Sequence, residues 1–351
     1  MIASYVNLFI LVIGLFLFAF EIVLLKKVKG KKVNLNQSIL NIGLGMIERL
    51  IGIITFNFGL VFFTSLLPFR FIEPIANPYL AFVIALFGVD LMWYIYHRIS
   101  HRVSLIWAAH LIHHQSKEYN FSVNFAISPF GFFVRIFVYG LLVLIGIPPE
   151  DIIIVNAVNA FYQYLLHSEL WPEFKGWEKV FVTPKFHQIH HSSVHDHLDT
   201  NYGGMFTIWD RMFGTFHTDN KKITYGLTKP IENRDPFHLQ IIFFLKLIDN
   251  FRIHSIKRAL ALLVKGPEAQ TPDLPQLYKV NISYTFPRLM IGFSLFGIGY
   301  ASLSLALLPL WISLVLGILG IVIYSGISVN KSPKNKDETE NSTINSSNQE
   351  V

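Results

Sequence analysis

The sequence predicts an all-α integral membrane protein with about seven transmembrane or re-entrant helices and a helical cap on the cytosolic side. Its 351 residues are 52% hydrophobic and 15% charged, whereas about a quarter of the residues in a soluble domain are charged. Apolar runs long enough for membrane helices recur along the chain. The net charge of +6 comes mainly from basic residues in loops and flanks, which favours contact with a membrane surface over nucleic-acid binding.

The first part of the chain contains three apolar segments. A hydrocarbon core of about 30 Å requires roughly 20 helical residues, and segment 4–25 meets this requirement. It lacks a basic start and a small-residue cleavage site, so we expect an anchor rather than a cleaved signal peptide. Segments 38–66 and 79–96 follow, the first as one tilted span or as a broken one. A lysine cluster after segment 4–25 predicts a cytoplasmic end there and an external N-terminus. The lysines are Lys26, Lys27, Lys29, Lys31 and Lys32.

The middle of the chain alternates apolar and mixed segments. Segments 130–147 and 151–168 predict a short hairpin of two spans or a re-entrant pair, because two prolines separate them. Residues 169–236 mix polar and aromatic side chains and are expected to form the cap. Residues 237–264 combine apolar and basic side chains, which predicts an interfacial amphipathic helix.

The last two apolar segments, 287–305 and 307–326, predict a final membrane hairpin. Residues 327–351 are rich in Asn, Ser, Lys and Glu, and we expect them to be disordered. Seven spans with an external N-terminus place the C-terminus and the cap in the cytoplasm. The expected location is therefore a multi-pass position in a bacterial inner membrane with a cytoplasmic active site.

Nine of the fourteen histidines lie beside the apolar runs, in the clusters HRISH, HLIHH and HQIHH and at one single position. Residues i, i+3 and i+4 share a helix face, so we expect each cluster to aim its imidazoles at one point. Cysteine is absent, which leaves imidazole, carboxylate and water as ligands. One zinc ion takes four ligands, so nine histidines predict a polyhistidine dimetal site in the cap. The candidate ligands are His97, His101, His110, His113, His114, His167, His187, His190 and His191.

Polar residues near these clusters are candidates for orienting the ligands. Asp90 lies inside a predicted span, on one helical stripe with Tyr94, His97 and His101, and a carboxylate in a membrane is a functional candidate by default. The alternative for Asp90 is a hydrogen-bonded structural role. The other candidates are Asn124, Asn201, Glu169, Asp196 and Asp199. His195 and His197 follow the third cluster and either face the ligands or substrate or lie in a solvated loop.

At these clusters the chain resembles the fatty acid hydroxylase/sterol desaturase superfamily. The resemblance covers about residues 80–240 and rests on HRISH, WAAHLIHH, YQYLLHSE and HQIHH, followed by NYGG and WDRMFGTF. With WAAHLIHHQSKEYNFS, the pattern looks most like the alkylglycerol monooxygenase branch and its bacterial relatives. The resemblance implies a membrane-embedded helical fold, two iron ions held by the nine histidines, and O2-dependent hydroxylation or desaturation of an alkyl, acyl or sterol chain.

Two positions depart from the family pattern. Some members have a further histidine four residues before the single one, where this chain has Gln163, which puts a tenth ligand in doubt. The residue after the first cluster is acidic in the alkylglycerol monooxygenase branch and is Arg102 here, which weakens any transfer of substrate or pterin dependence. The chain shows no cytochrome b5 domain, so electrons are expected from a separate ferredoxin, a cytochrome b5-like carrier or a pterin.

The sequence therefore predicts a di-iron oxygenase that hydroxylates a membrane lipid, and cleavage of an ether lipid is one form that this reaction could take. A desaturase with the same centre remains an alternative, as do a zinc-binding membrane protein or hydrolase and a divalent-metal transporter. The chain divides into N-terminal transmembrane helices (1–78), a catalytic domain with the three clusters (79–236), an interfacial helix with a membrane hairpin (237–326) and the tail (327–351).

Overall fold

A computed structural model describes residues 2–172, 176–231, 235–270, 281–282 and 285–328. The helices, in chain order, are α1 (Ile2–Lys29), α2 (Leu35–Leu66), α3 (Pro78–Arg102), α4 (Ser104–His114), α5 (Gly131–Leu144), α6 (Pro149–Leu166), α7 (Pro184–His190), α8 (Ile208–Met212), α9 (Pro236–Ile253), α10 (Ile256–Val264), α11 (Phe286–Leu305) and α12 (Leu310–Ser325). Short 3-10 turns join several of them. The predicted all-α membrane fold is confirmed.

Four helices within the described ranges are long and apolar enough to cross a membrane: Leu8–Lys29, Leu35–Phe69, Pro78–Arg102 and Phe286–Leu305. Two further apolar helices, α5 and α12, are shorter. The predicted span 151–168 corresponds to α6, which does not reach the same hydropathy. Its first turn carries Glu150 and Asp151, and Asn159 and Gln163 are buried further along it. Among the described residues, four helices are thus full-length apolar spans, and the others of the about seven transmembrane or re-entrant helices expected from sequence are shorter or less apolar.

Segment 38–66 forms part of one continuous helix, α2, rather than a broken span. Its 32 residues extend over about 48 Å, which exceeds a hydrocarbon core of about 30 Å. The helix therefore either tilts or projects beyond the apolar layer. The charged pair Glu48 and Arg49 is accommodated within it, with Arg49 Nη1 3.5 Å from Glu48 Oε2.

Residues 237–264, for which the sequence predicts an interfacial amphipathic helix, are divided in the structure. They form two helices, and α9 packs into the body of the protein, where Leu239, Phe243 and Leu247 join a buried cluster with Leu44 of α2 and Leu111 of α4. One face of α9 is therefore covered by protein, whereas Ile241, Ile248 and Phe251 on the same helix are exposed. The shorter α10 is amphipathic, as expected of the segment.

The hairpin of α11 and α12 forms as predicted and is packed closely through glycines. A Cβ on Gly299 would lie 2.5 Å from the backbone nitrogen of Gly317, and a Cβ on Gly320 would overlap the backbone of Phe296. Small residues let membrane helices approach this closely. After α12, Ile327–Ser328 pairs antiparallel with Asn281–Ile282, so the predicted tail begins with a short strand rather than disorder. Ile327 continues the apolar run of α12, and residues 329–351 of the tail lie outside the described residues.

Candidate metal centre

The structure gathers the nine predicted histidines into two groups. Within each group the ligand nitrogens lie within 4.8 Å of one another, and nearly every residue is buried to more than nine-tenths. The five-histidine group consists of His97, His101, His110, His114 and His190. The four-histidine group consists of His113, His167, His187 and His191. Each group contains enough imidazoles to hold one metal ion.

The second and third clusters are each divided between the two groups, contrary to the expectation that each cluster aims at one point. His110 and His114 stay together, whereas His113 joins the other group. His187 and His191 stay together, whereas His190 joins the other group. At 3.6 residues per turn, residues i and i+4 are rotated by about 40°, but i+3 is rotated by about 60° and 100° from them. The i+3 imidazole therefore diverges toward the neighbouring group.

The ring nitrogens of each group converge closely. His110 Nε2 lies 3.1 Å from both His97 Nε2 and His114 Nε2. His167 Nε2 lies 3.0 Å from His187 Nε2 and 3.2 Å from His113 Nε2. One imidazole N–H cannot satisfy several neighbouring nitrogen lone pairs at once, and His101 Nε2 and His190 Nε2 are buried with no hydrogen-bond partner. Lone pairs that converge in this way fit metal cations, which imidazole binds well.

Backbone carbonyls fix the tautomers of three imidazoles. The Nδ1 atoms of His97, His190 and His167 lie 2.8 Å from the carbonyl oxygens of Tyr202, Thr200 and Gln163, respectively. A carbonyl can only accept, so each Nδ1 carries the proton and donates it. Each Nε2 then directs its lone pair into its group, as is usual for metal-bound histidines.

Burial lowers the pKa of His113 and of His190, which favours their uncharged forms near neutral pH. Burial and the charge of His190 lower the pKa of His113 to about 3. Burial also lowers the pKa of His190 to about 4, although its bond to the Thr200 carbonyl opposes the shift. A neutral imidazole has the free lone pair that a metal ligand requires.

A cavity opens beside both groups. Its wall includes His97 and His110 of the five-histidine group and His113, His167 and His187 of the four-histidine group. The remaining wall comes from α3, the segment before α5, α5 itself and α6. It includes Trp93, Tyr96, Asn124, Ile127, Ser128, Arg135 and Gln163. A molecule in this cavity would lie next to both groups.

The NYGG segment wraps around the five-histidine group because Asp90 and Asp210 hold it. Asp90 accepts hydrogen bonds from Asn159 Nδ2 and Trp209 Nε1, at 2.6 and 2.9 Å, and from the backbone N–H groups of Met205 and Phe206, which directly follow the segment. Asp210 accepts from the backbone N–H groups of Tyr202 and Gly203, both at 2.8 Å. The predicted candidate Asp90 thus holds the loop that follows the NYGG segment.

Glycine is required at position 204 by this close packing. A Cβ there would lie 2.7 Å from Trp93 Cδ1, 2.8 Å from Asn159 Oδ1 and 2.9 Å from Asp90 Oδ1. The second glycine of the NYGG motif is therefore needed because no side chain fits at this position.

The other polar candidates lie either on the cavity wall or in the surrounding hydrogen-bond network. Asn124 lines the cavity, whereas the Tyr94 hydroxyl lies 2.9 Å from Thr215 Oγ1. Asn201 has a left-handed backbone with φ of 55°, which asparagine tolerates, and its side chain holds the backbone of His217 at both the N–H and the carbonyl. Gln163 donates its amide to Asn159 Oδ1 at 2.5 Å, one turn earlier on α6, and Asn159 in turn donates to Asp90.

Each of the three charged candidates forms an ion pair. Asp199 Oδ1 is 3.8 Å from His101 Nδ1, and Asp199 also pairs with Arg102, the residue that departs from the family pattern. Glu169 pairs with a lysine after α1, and Asp196 pairs with a lysine of the cap. His195 is almost fully exposed, whereas His197 is buried.

Sequence reasoning missed Glu21, His217 and Asp219. Glu21 is fully buried in α1 and accepts hydrogen bonds from the Phe121 N–H at 2.7 Å and from Ser168 Oγ at 2.5 Å. It therefore ties α1 to the residue that follows His167. An acidic residue within an apolar span was a signal that could have revealed it. His217 and Asp219 carried no local spacing signal, because they meet His197 only in the fold.

Comparison with known proteins agrees with this arrangement. The fatty acid hydroxylase family model matches residues 82–215, which contain all nine histidines. Alkylglycerol monooxygenase of Danio rerio is 33% identical over 253 residues, which are 72% of this chain and 56% of that protein. Residues 82–215 thus form a fatty acid hydroxylase domain. The predicted superfamily resemblance is thereby confirmed.

Two other relatives are lipid-modifying proteins by name. Human alkylglycerol monooxygenase is 33% identical over 194 residues, which are 55% of this chain and 43% of that protein. An ornithine lipid hydroxylase of Rhizobium tropici is 34% identical over 142 residues, which are 39% of this chain and 41% of that protein. The chain thus spans about half the length of the curated relatives it matches. No solved structure matches it significantly.

Proposed function

We propose that the protein is a membrane-bound di-iron monooxygenase that uses O2 to hydroxylate a lipid alkyl, acyl or sterol chain. The observation that carries this proposal is the pair of adjoining histidine groups that open onto one cavity. The relatives named for alkylglycerol and ornithine-lipid oxidation support a lipid substrate. The catalytic unit that we assign to residues 79–236 contains the family match.

The donor set favours iron over zinc at the five-histidine group. Structural zinc sites in proteins are almost always four-coordinate, and this group offers five imidazoles. Bound iron would supply the electrons that reduce O2 and the oxidant that attacks an unactivated C–H bond, which side chains alone cannot do. The chain's own contribution is to hold neutral imidazoles with their tautomers fixed and to bury them away from water.

The substrate is proposed to be a lipid with a polar or anionic group. Arg135 lies on the apolar helix α5, lines the cavity, and has its guanidinium carbon 5.6 Å from the centre of the Tyr96 ring. A cation placed in an apolar helix is costly and is a functional candidate by default. It would hold a phosphate, carboxylate or hydroxyl of the lipid while the chain to be oxidised lies beside the histidine groups.

If the oxidised carbon bears an ether oxygen, the hydroxylated product is a hemiacetal. It collapses to an aldehyde and an alcohol, so hydroxylation at that carbon cleaves an ether lipid without a separate hydrolytic step. This outcome would give the protein the reaction named in its alkylglycerol monooxygenase relatives.

The active site is proposed to face the cytoplasm of a bacterial inner membrane. The lysine cluster at the end of α1 supports this orientation, because basic residues concentrate on the cytoplasmic side. Electrons would then come from a soluble donor such as a ferredoxin, a cytochrome b5-like carrier or a pterin.

Product analysis tests the proposed function. Iron-loaded protein in lipid nanodiscs is supplied with O2, a reductant and candidate lipids, and the products are identified by mass spectrometry. Gain of one oxygen, or release of a fatty aldehyde from an ether lipid, supports the monooxygenase, and loss of two hydrogens identifies a desaturase instead. Lipid cleavage by the zinc-loaded protein without O2 consumption would replace the proposal with a hydrolase. A His113→Ala/His190→Ala variant serves as the inactive control.

A further inference from the structure

A third cluster of metal-ligating side chains lies outside the two histidine groups. His197, His217 and Asp219 bring two imidazole nitrogens and a carboxylate oxygen within 4.8 Å of one another. The His197 side chain is fully buried, and those of His217 and Asp219 are 32% and 20% exposed. The cluster joins the end of the short turn after the third histidine cluster to the segment after α8.

The distances within this cluster fit a shared cation. His197 Nε2 lies 3.0 Å from Asp219 Oδ1 and 3.1 Å from Oδ2, and His217 Nε2 lies 3.1 Å from Oδ2. One N–H hydrogen cannot point directly at two carboxylate oxygens. Ligand atoms around a tetrahedral zinc ion, with bonds of about 2.0–2.1 Å, are separated by about 3.3 Å. The observed spacing therefore needs only small movements to surround a metal.

Neighbouring groups already fix the three ligands in place. The Lys221 N–H donates to Asp219 Oδ1 at 3.0 Å, and the His217 N–H donates to Asn201 Oδ1 at 2.9 Å. Thr200 Oγ1 donates to the His197 carbonyl at 2.7 Å. Hydrogen bonds of this kind orient ligands in known metal sites and affect metal affinity.

The cluster is directly connected to the loop that orients two imidazoles of the five-histidine group. Thr200 follows His197 by three residues, and its carbonyl accepts from His190 Nδ1. The Tyr202 carbonyl accepts from His97 Nδ1. A change in the position of His197 or His217 would therefore be transmitted to His190 and His97 through a short length of backbone.

We propose that His197, His217 and Asp219 bind a divalent first-row transition metal, best matched by zinc with a water as fourth ligand. Two neutral imidazoles and one carboxylate leave such a site with a net positive charge and suit a borderline-soft cation. The ion fastens residues 197–219 and so holds the Thr200 and Tyr202 carbonyls against His190 and His97. Its role is structural and is independent of whether the two histidine groups oxidise lipid.

Metal counting on the full-length protein in nanodiscs tests this site. Wild-type, His217→Gln and Asp219→Asn proteins are loaded with iron, dialysed against zinc and analysed by elemental mass spectrometry. The matched control is His195→Gln, which changes an exposed histidine of the same segment. We expect one zinc per chain to be lost in both cluster variants and retained in the control. Asp219→Asn preserves the shape of the side chain, so the test stands even if His217→Gln fails to fold.

The rate at which a chelator removes iron provides a second measurement. We expect release to accelerate by about 10-fold to 100-fold in the cluster variants, the range typical for loss of groups that orient metal ligands. Equal zinc content in wild type, His217→Gln and Asp219→Asn would overturn the proposal. A protein that loses the extra zinc in the variants but oxidises no lipid would support this site and contradict the proposed monooxygenase.

Discussion

His114 and His191 stack with their ring centroids 4.4 Å apart and their planes 22° from parallel, although they belong to different histidine groups. The two groups therefore share a wall of imidazoles. Two metal ions bound in them would be neighbours that could act on one O2 molecule. Because of this contact, we expect that the loss of an imidazole from one group also weakens metal binding in the other.

Replacing a single imidazole at this wall should affect both metals. We expect His114→Ala to remove more than one of the two irons per chain. Activity should fall by about 100-fold or more, because losing a metal ligand has a larger effect than losing a group that only orients a ligand. Iron per chain, measured by elemental mass spectrometry, checks this. His195→Ala is the control and should retain its iron. Loss of iron from the five-histidine group alone would show that the groups load independently.

Gly204→Ala should destabilise the protein and weaken its iron binding. The added Cβ would press on Trp93, Asn159 and Asp90, and such overpacking costs roughly 1–3 kcal/mol. Thermal unfolding followed by intrinsic fluorescence gives the change. Gly297→Ala is the matched control, because nothing lies within 4 Å of its added Cβ and alanine favours a helix. Equal unfolding temperatures for the two variants would contradict the packing that we describe.

Asp90→Asn should release the NYGG segment. The amide replaces one acceptor oxygen with an N–H₂ group that would face donors, at a cost of roughly 1–3 kcal/mol. We expect a lower unfolding temperature together with faster release of iron to a chelator. Asp249→Asn changes an aspartate on α9 that pairs with Arg252 and should alter neither property appreciably. Unchanged iron release in Asp90→Asn would show that this loop does not control the five-histidine group.

Arg135→Gln should raise KM for anionic lipids about 10-fold or more and change KM for a neutral alkylglycerol much less, because a charged hydrogen bond contributes roughly 1.5–3 kcal/mol. Turnover of the two lipids, compared under the same conditions, checks this. Arg252→Gln changes an exposed arginine and serves as the control for charge at the surface. The same KM increase for both lipids would assign Arg135 a purely structural role.

The spacing of the histidines was sufficient to predict a dimetal site but not which histidines belong to which group. Helical periodicity gathers residues i, i+3 and i+4 on one side, and the long apolar runs place the clusters near helix ends. Whether His113 turns toward His110 or toward His167 depends on how α4 packs against α6 and α7. That packing is a tertiary property, which a local pattern does not contain.

The same distinction explains the other differences. Asp90 was found because a carboxylate in an apolar run is conspicuous, but two of its hydrogen-bond donors, the backbone N–H groups of Met205 and Phe206, lie more than 100 residues away. The mixed composition of segment 237–264 did not show which face of α9 packs on α2 and α4, through Leu239, Phe243 and Leu247. His217 and Asp219 became visible only once the fold brought them to His197.

The iron content of anaerobically reconstituted protein tests the central claim most directly. The protein is loaded with iron, washed with a weak chelator and analysed by elemental mass spectrometry beside the His113→Ala/His190→Ala variant. The account predicts about two irons per chain, as expected from nine imidazoles in two groups, and their loss in the variant. Retention of zinc alone, with no iron held by either histidine group, would contradict the di-iron centre.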